Sequence, residues 1–352
     1  MNKLLVLLAM LVAINTNAQW VQLNGPAGGA VKSLAVSGNN IFAASSGSIY
    51  LSSNNGNTWS QTALNNQSVF SIAVSGSNIL AGTISNGIFL TTNNGITWSQ
   101  IPLGYDRSVL SFAVSENNVF AGTQGSGVYL STNNGNTWTQ TALNDQTVQS
   151  LTVSGNNIFA GTYSAVYIST NNGMNWTQTS LNNKNVTSLT SFSNNIIAGT
   201  VGTGVYLSTN NGATWTQTAL TNKSVISLAV SGNSIFAGVM YSGANSGVYI
   251  STDGGLNFTQ TILNKDINSI VTSGNNIYAG TNGYGLHHST NSGTNWNAIG
   301  MNQLTINVFT TQGSNILAGT AFGVYISSNN GTNWIQTDNN GTKSLTTLGN
   351  DI

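Results

Sequence analysis

Eight near-copies of one octapeptide limit what this chain can fold into. S-T-N-N-G-N-T-W at Ser131–Trp138 returns at Ser52–Trp59, Thr91–Trp98, Ser169–Trp176, Ser208–Trp215, Ser251–Phe258, Ser289–Trp296 and Ser327–Trp334. Counted between their last residues, the steps are 39, 40, 38, 39, 43, 38 and 38 residues. A period of about 40 residues is the mark of a repeat architecture, in which each unit buries its apolar face only by packing on its neighbours.

The octapeptide has the chemistry of a turn followed by an anchor. Its third residue is Asn in seven copies and Asp253 in one, a side chain that accepts hydrogen bonds from backbone N–H groups just ahead. Its fifth is always Gly, from Gly56 to Gly331, which reaches positive φ without a Cβ penalty. The last is Trp, or Phe258 once, opening the next strand with a large apolar body. This reading expects Gly173→Val to destabilise the turn and Asn172→Ala to have little effect.

Between octapeptides the chain alternates with the period of a strand. In the unit at 109–143, V-L-S-F-A-V-S (Val109–Ser115) is a first strand and Glu116-Asn117-Asn118 a turn. V-F-A-G-T (Val119–Thr123) is a second strand, with Ala-Gly allowing close approach of a neighbouring sheet. G-V-Y-L-S (Gly127–Ser131) is a third, and W-T-Q-T-A-L (Trp138–Leu143) a fourth. Four antiparallel strands per unit with Gly-rich turns make a β-propeller blade. Units start at Val31, Val69, Val109, Val148, Val186, Val225, Ile267 and Ile306, so the expected fold is an all-β propeller with eight blades favoured, and seven blades or an open array as alternatives. Trp20–Asn24 aligns with a fourth strand, and Trp20–Leu23 is expected to compete with Trp334–Asp338 to close the last blade. Lys343–Ile352 aligns with the start of a ninth unit, which points to truncation of a longer protein.

The octapeptide resembles the Asp-box, or BNR, repeat S-x-D-x-G-x-T-W of sialidase-like and sortilin-like propellers and of photosystem II assembly-factor propellers. The resemblance covers about Trp20 to Asn350, with Asn in place of Asp in seven of the eight copies. It implies a structural role for the box and transfers no activity. Sialidases hold a substrate carboxylate with an arginine cluster, and this chain has a single arginine, Arg107. Sialidase chemistry is thereby disfavoured.

The amino terminus reads as a secretory signal. Lys3 precedes the apolar run Leu4–Ala13, and Thr16-x-Ala18 precedes a cut. The expected domains are a signal peptide at 1–18 and the propeller at 19–352, exported and secreted or held in the cell envelope, with no transmembrane segment after signal removal. Charged residues make up 4% of the chain, and cysteine is absent. So sparse a basic complement argues against nucleic acid as a partner, and without disulfides stability has to come from sheet packing.

Antiparallel order puts the second–third and fourth–first loops of each unit on the face opposite the boxes. Those loops vary most, and the 43-residue step falls at Val239–Ser246, on the face where repeat insertions usually serve binding. Loop residues Tyr105, Tyr163, Met240, Tyr241, Tyr284 and Phe322 are the candidate ligand-binding set, against the alternative that they pack over loop stems. Asp106, Asp145 and Asp266 lie in fourth–first loops and are weak candidates for a catalytic carboxylate pair, against the alternative of solvated loop carboxylates. His287-His288 sits in a third strand, where consecutive side chains point to opposite faces and do not chelate one ion. No metal or cofactor is expected. The reading is a non-enzymatic module that binds a polysaccharide or an envelope protein. The alternatives are a glycoside hydrolase resembling Asp-box endoglucanases and an assembly or scaffolding factor.

Overall fold

A computed structural model describes residues 33–37, 40–44, 48–53, 60–104, 107–273, 276–284, 286–298, 305–312, 315–320, 323–331 and 333–336. The expected leader at 1–18, the segments Trp20–Asn24 and Lys343–Ile352, and the candidates Tyr105, Asp106 and Phe322 lie outside the described residues.

Every described strand belongs to a four-stranded antiparallel sheet in simple up-and-down order. In the third sheet the strands are Val109–Ser115, Asn118–Thr123, Val128–Ser131 and Thr139–Gln140. The alternation of V-L-S-F-A-V-S fixes the first of these, and the pairings Ser115 with Asn118 and Val119 with Val114 follow from its tight turn. The first strands of successive sheets pack against one another, so they are the inner edge about which the sheets are arranged. This is an all-β propeller with four-stranded blades.

The preference for a closed ring of eight blades is corrected. Eight four-stranded sheets follow one another along the chain, and a closed ring of eight would need as many interfaces. Among the described residues seven interfaces form, each with its own apolar cluster, running from the sheet at 33–65 to the sheet at 306–336. The first strands at Ser33–Ser37 and Ile306–Gln312 are not packed on each other as Ser33–Ser37 is packed on Val69–Ser75. Seven blades each rest on a successor, and the sheet at 306–336 is the terminal layer. Repeat counting tallies sheets, whereas the blade count here follows from packing on a successor, which no octapeptide encodes.

Most interfaces share the same parts, with Leu80 and Ile197 standing in for the aromatic at two of them. A second-strand aromatic, Phe42, Phe120, Phe159 or Phe236, is fully buried, and truncating such a ring costs about 3–5 kcal/mol. The Ala-Gly of the second strand admits the next sheet. At Gly161 a Cβ would stand 2.7 Å from Val186 Cγ1 of the following sheet, and at Gly199 2.8 Å from Val225 Cγ1. Hydrogen bonds reinforce the inner edge: Thr187 Oγ1–H donates to Val225 O at 2.6 Å, and Asn268 Nδ2–H to Ile306 O at 2.9 Å.

The octapeptide folds as a self-bonded turn. Ser131 Oγ–H donates to Asn133 Oδ1 at 2.9 Å and accepts Gly135 N–H at 2.8 Å, while Asn133 Oδ1 also accepts Thr137 N–H at 2.9 Å. The same bonds recur at Thr91, Ser169, Ser208, Ser289 and Ser327. Asp253 accepts from Ser251 Oγ–H, Leu256 N–H and both nitrogens of Asn257. These donors, the Asn257 backbone first, hold its carboxyl down at about 2. The turn also reaches the neighbouring sheet, since Asn78 Nδ2–H donates to Asn134 O at 2.8 Å and Ser75 Oγ–H to Asn134 Oδ1 at 2.8 Å.

The fourth residue of the box departs from expectation. Asn172 has φ 53° beside Gly173 at 80°, and Asn94, Asn134, Asn211 and Asn330 have φ 54–55°. Both residues of each pair are left-handed. Asn occupies the fourth position because it tolerates that region better than other side chains, so Asn172→Ala is not the neutral change the sequence reading expects.

Candidate functional site

The loops opposite the boxes are bonded into one face. Gly87 N–H donates to Arg107 O, Gly127 N–H to Gln146 O, Lys184 N–H to Ser164 O, Val201 N–H to Asn185 O and Gly204 N–H to Lys223 O. In each pair one residue lies in or beside a second–third loop and the other in an adjoining fourth–first loop, which leads onward from that sheet in four pairs and into it at Val201–Asn185. A recurrent glutamine adds to this. Gln100, Gln140, Gln217 and Gln260, from fourth strands, donate through Nε2 to Asn86 O, Ser126 O, Thr203 O and Ser246 O at 3.0, 3.1, 2.7 and 2.9 Å. The face is a bonded rim, and a side chain placed there is held by its loop.

The long loop of the sixth sheet is the most built part of that rim. Tyr241 takes φ 59°, a conformation that costs a residue of this kind about 1–2 kcal/mol and persists only where its surroundings impose it. Its N–H is fixed by Asp266 Oδ1 at 2.9 Å. The loop then turns through a single 3₁₀ turn at Gly243–Asn245. That turn is pinned by Ser242 N–H to Ser246 Oγ at 2.9 Å and by Tyr249 Oη–H to Asn245 O at 2.9 Å. Tyr241 itself is left 77% exposed.

Asp266 also holds the neighbouring loop. Its backbone oxygen accepts Asn282 N–H at 2.9 Å, and two residues on, Tyr284 is 53% exposed with its N–H on Thr281 Oγ1 at 3.2 Å. Lys265 Nζ lies 4.3 Å from the centroid of the Tyr284 ring, close enough for a cation–π attraction. One residue therefore ties together two loops that display two tyrosines and an ammonium group.

The other candidates divide. Tyr163, on the second–third turn of the fourth sheet, is 57% exposed on the same kind of loop. Met240 is buried and belongs to the sheet. Asp145 is exposed and accepts Gln146 Nε2–H at 3.0 Å. Burial first, and the Asp145 charge second, raise the Tyr167 phenol above its usual range. Asp145 and Asp266 enter different sheets, and Asp266 spends a carboxylate oxygen on a backbone N–H, so the structure gives it a positioning task. His288 is buried, stacked on Tyr278 with centroids 4.4 Å apart, and its Nε2 lies 3.0 Å from Asn276 Oδ1. Burial lowers its pKa. His287 pairs with Ala279 and Ala298 in the ladder. No cluster of three or more His, Asp or Glu suited to a metal occurs among the described residues.

Sequence reasoning missed Lys265 and the glutamines. The glutamine was findable, since Gln61, Gln100, Gln140, Gln178, Gln217, Gln260 and Gln336 recur at the same place after the box. Lys265 had no signal, because its partner ring lies in the next unit.

The model of the DUF6242 beta propeller domain matches residues 8–110 and 112–237, more than half of the chain. No curated protein matches the sequence. Among solved structures, the computationally designed Ika8 protein is 13% identical with a TM-score of 0.71, over 86% of this chain and 96% of that one. An ancestral GH74 enzyme is 19% identical with a TM-score of 0.57, over 90% of this chain and 55% of the enzyme, so this chain spans little more than half of its length. YCF48 from Cyanidioschyzon merolae is 16% identical with a TM-score of 0.53, over 72% of this chain and 93% of that one. A YCF48 bound to D1 peptide is 14% identical with a TM-score of 0.51, over 66% and 81%. Identities this low establish a shared fold. Among the described residues no helix is long and apolar enough to cross a membrane.

Proposed function

The chain belongs to the DUF6242 beta propeller domain family, and on that premise we propose that it is an interaction module that binds a segment of an envelope or surface protein on its loop face. The carrying observation is Asp266, which locks Tyr241 in a left-handed conformation through its carboxylate and the Tyr284 loop through its backbone oxygen. Ring faces and an ammonium group held on rigid loops suit a peptide, because little side-chain freedom remains to be lost on binding. A YCF48 propeller bound to a peptide is a precedent on the same fold. The Ser–Asn–Gly–Trp bonding of the boxes is in keeping with the Asp-box resemblance, and in this reading the boxes act as scaffold. The leader at 1–18 supports an exported location.

Polysaccharide binding and glycoside hydrolysis are the competing outcomes of one experiment. The purified chain is offered a displayed peptide library and, separately, a panel of polysaccharides, with retention and new reducing ends both recorded. The expected result is enrichment of peptides whose retention falls about tenfold or more in Tyr241→Ala and Tyr284→Ala, as loss of an aromatic anchor at a hot spot would give, with thermal stability unchanged. Retention of polysaccharide with no peptide enriched would replace this reading with carbohydrate binding, and release of reducing ends would replace it with hydrolysis.

A further inference from the structure

Seven Asn–Gly pairs fall within the described residues, and the fold treats one of them differently from the rest. An Asn–Gly pair deamidates when the glycine nitrogen attacks the asparagine Cγ, so a glycine N–H that is buried and hydrogen-bonded is withheld from reaction. Five pairs are box residues: Asn94–Gly95, Asn134–Gly135, Asn172–Gly173, Asn211–Gly212 and Asn330–Gly331. In each the glycine is buried and its N–H donates to a Ser or Thr Oγ, at 2.9 Å in the first and 2.8 Å in the other four. In the sixth pair, Asn86–Gly87, the glycine is buried and its N–H donates to Arg107 O at 3.1 Å.

Asn282–Gly283 has neither protection. Asn282 is exposed, and a Cβ on Gly283 would meet no atom within 4 Å. No acceptor for the Gly283 N–H is found among the described residues. Thr305 Oγ–H donates to Asn282 Oδ1 at 3.1 Å, which draws electron density from the carbon to be attacked.

We propose that Asn282 is a site of spontaneous deamidation in the folded protein. The Gly283 nitrogen loses its proton and bonds to Asn282 Cγ. The Cγ–Nδ2 bond breaks, and the nitrogen leaves as ammonia carrying that proton, closing a succinimide. Water then opens the ring. Cleavage at the Cγ–N bond gives aspartate, and cleavage at the backbone carbonyl gives isoaspartate. The net exchange is one water consumed for one ammonia released. Either product adds a carboxylate to the loop between Asp266 and Tyr284. The chemistry is independent of what that face binds.

The test is to hold the full chain, folded, at mildly alkaline pH and follow every Asn–Gly peptide by mass spectrometry, with a parallel sample in denaturant. Conversion at Asn282 is expected to run at least tenfold ahead of the five box asparagines when folded, and the difference should collapse when unfolded. Equal rates in the folded chain would overturn the proposal, as would a difference that survives denaturation, since it would then stem from local sequence. A second arm uses Ser131→Ala, with its fold checked by circular dichroism. Loss of the Oγ acceptor should accelerate Asn134 and no other box asparagine, and an unchanged Asn134 would remove hydrogen-bond protection as the cause.

Discussion

Asn172 and Gly173 occupy neighbouring left-handed positions for different reasons, and substitution separates them. Asn172 makes the conformation tolerable, and its replacement by Ala should cost about 1 kcal/mol, near the lower end of the penalty for a Cβ at positive φ. Asn172→Gly should lie within a few tenths of wild type, because glycine carries no such penalty. Gly173→Ala meets that penalty and also sets a Cβ 2.7 Å from Phe120 Cε1, adding an overpacking cost of roughly 1–3 kcal/mol. Chemical denaturation of the three variants checks the order. Equal losses for Asn172→Ala and Gly173→Ala would mean that Phe120 gives way. His288 adds a pH effect at the same scale. Burial lowers its folded pKa, so the native state favours the neutral ring. The associated stability is present above the unfolded pKa of about 6.5 and is lost as pH falls from there toward the folded value. His288→Leu, the residue at the matching place in Leu130 and Leu207, should flatten the fall in melting temperature between about pH 7.5 and pH 5. An unchanged slope would assign the acid sensitivity to other groups.

At the scale of the element, the second strand carries two opposite demands, a large ring at its third residue and no side chain at its fifth. Phe159, Ala160 and Gly161 in N-I-F-A-G-T meet both, the ring filling its own interface and the glycine receiving the next sheet. Gly199 shows the second demand alone, since its φ is not left-handed and only space is at issue. Gly199→Ala should cost about 1–3 kcal/mol, and Val225→Ala combined with it should cost less than the sum of the two single changes, because the new Cβ, which stands nearest Ser188 Oγ, also meets the valine methyl at 2.8 Å. Additive losses in a denaturant titration would place the strain at Ser188 instead. The expected strands were legible because period-two alternation and the box bound them on both sides. The first strand of the third sheet matches the expected Val109–Ser115, whereas its fourth ends at Gln140 rather than Leu143. Beyond Gln140 the residues are drawn into the rim by bonds such as Val128 N–H to Leu143 O, a tertiary claim that strand propensity does not register.

At the scale of the whole molecule, the seven interfaces found among the described residues form a series of nearest-neighbour contacts, and stability in such an array is close to a sum over units and interfaces. The consequence depends on position. Phe159→Ala, in the interface between the fourth and fifth sheets, and Phe42→Ala, in the first, each remove roughly 3–5 kcal/mol of local packing. Hydrogen exchange should rise on both sides of the first lesion, and for the second it should be confined to the amino-terminal sheets. If the two variants instead raise exchange alike throughout, the end sheets are coupled in solution as tightly as the inner ones. The loop face belongs to this scale too, because Asp266 joins loops from different sheets and Lys265 meets a ring from the next unit.

The sequence alone determined the strands, the turn chemistry and the repeat, because hydrophobic period and box residues act within a few positions of one another. It also pointed to Tyr163, Tyr241 and Tyr284 as loop residues, which their exposure supports. Only the tertiary structure decided how many sheets pack into blades, why Asn precedes Gly in the box, that Met240 is core, and that Asp266 holds two loops rather than standing free. Those outcomes depend on contacts between units about 40 residues apart, where a near-perfect repeat gives every unit the same signal and hides which one differs.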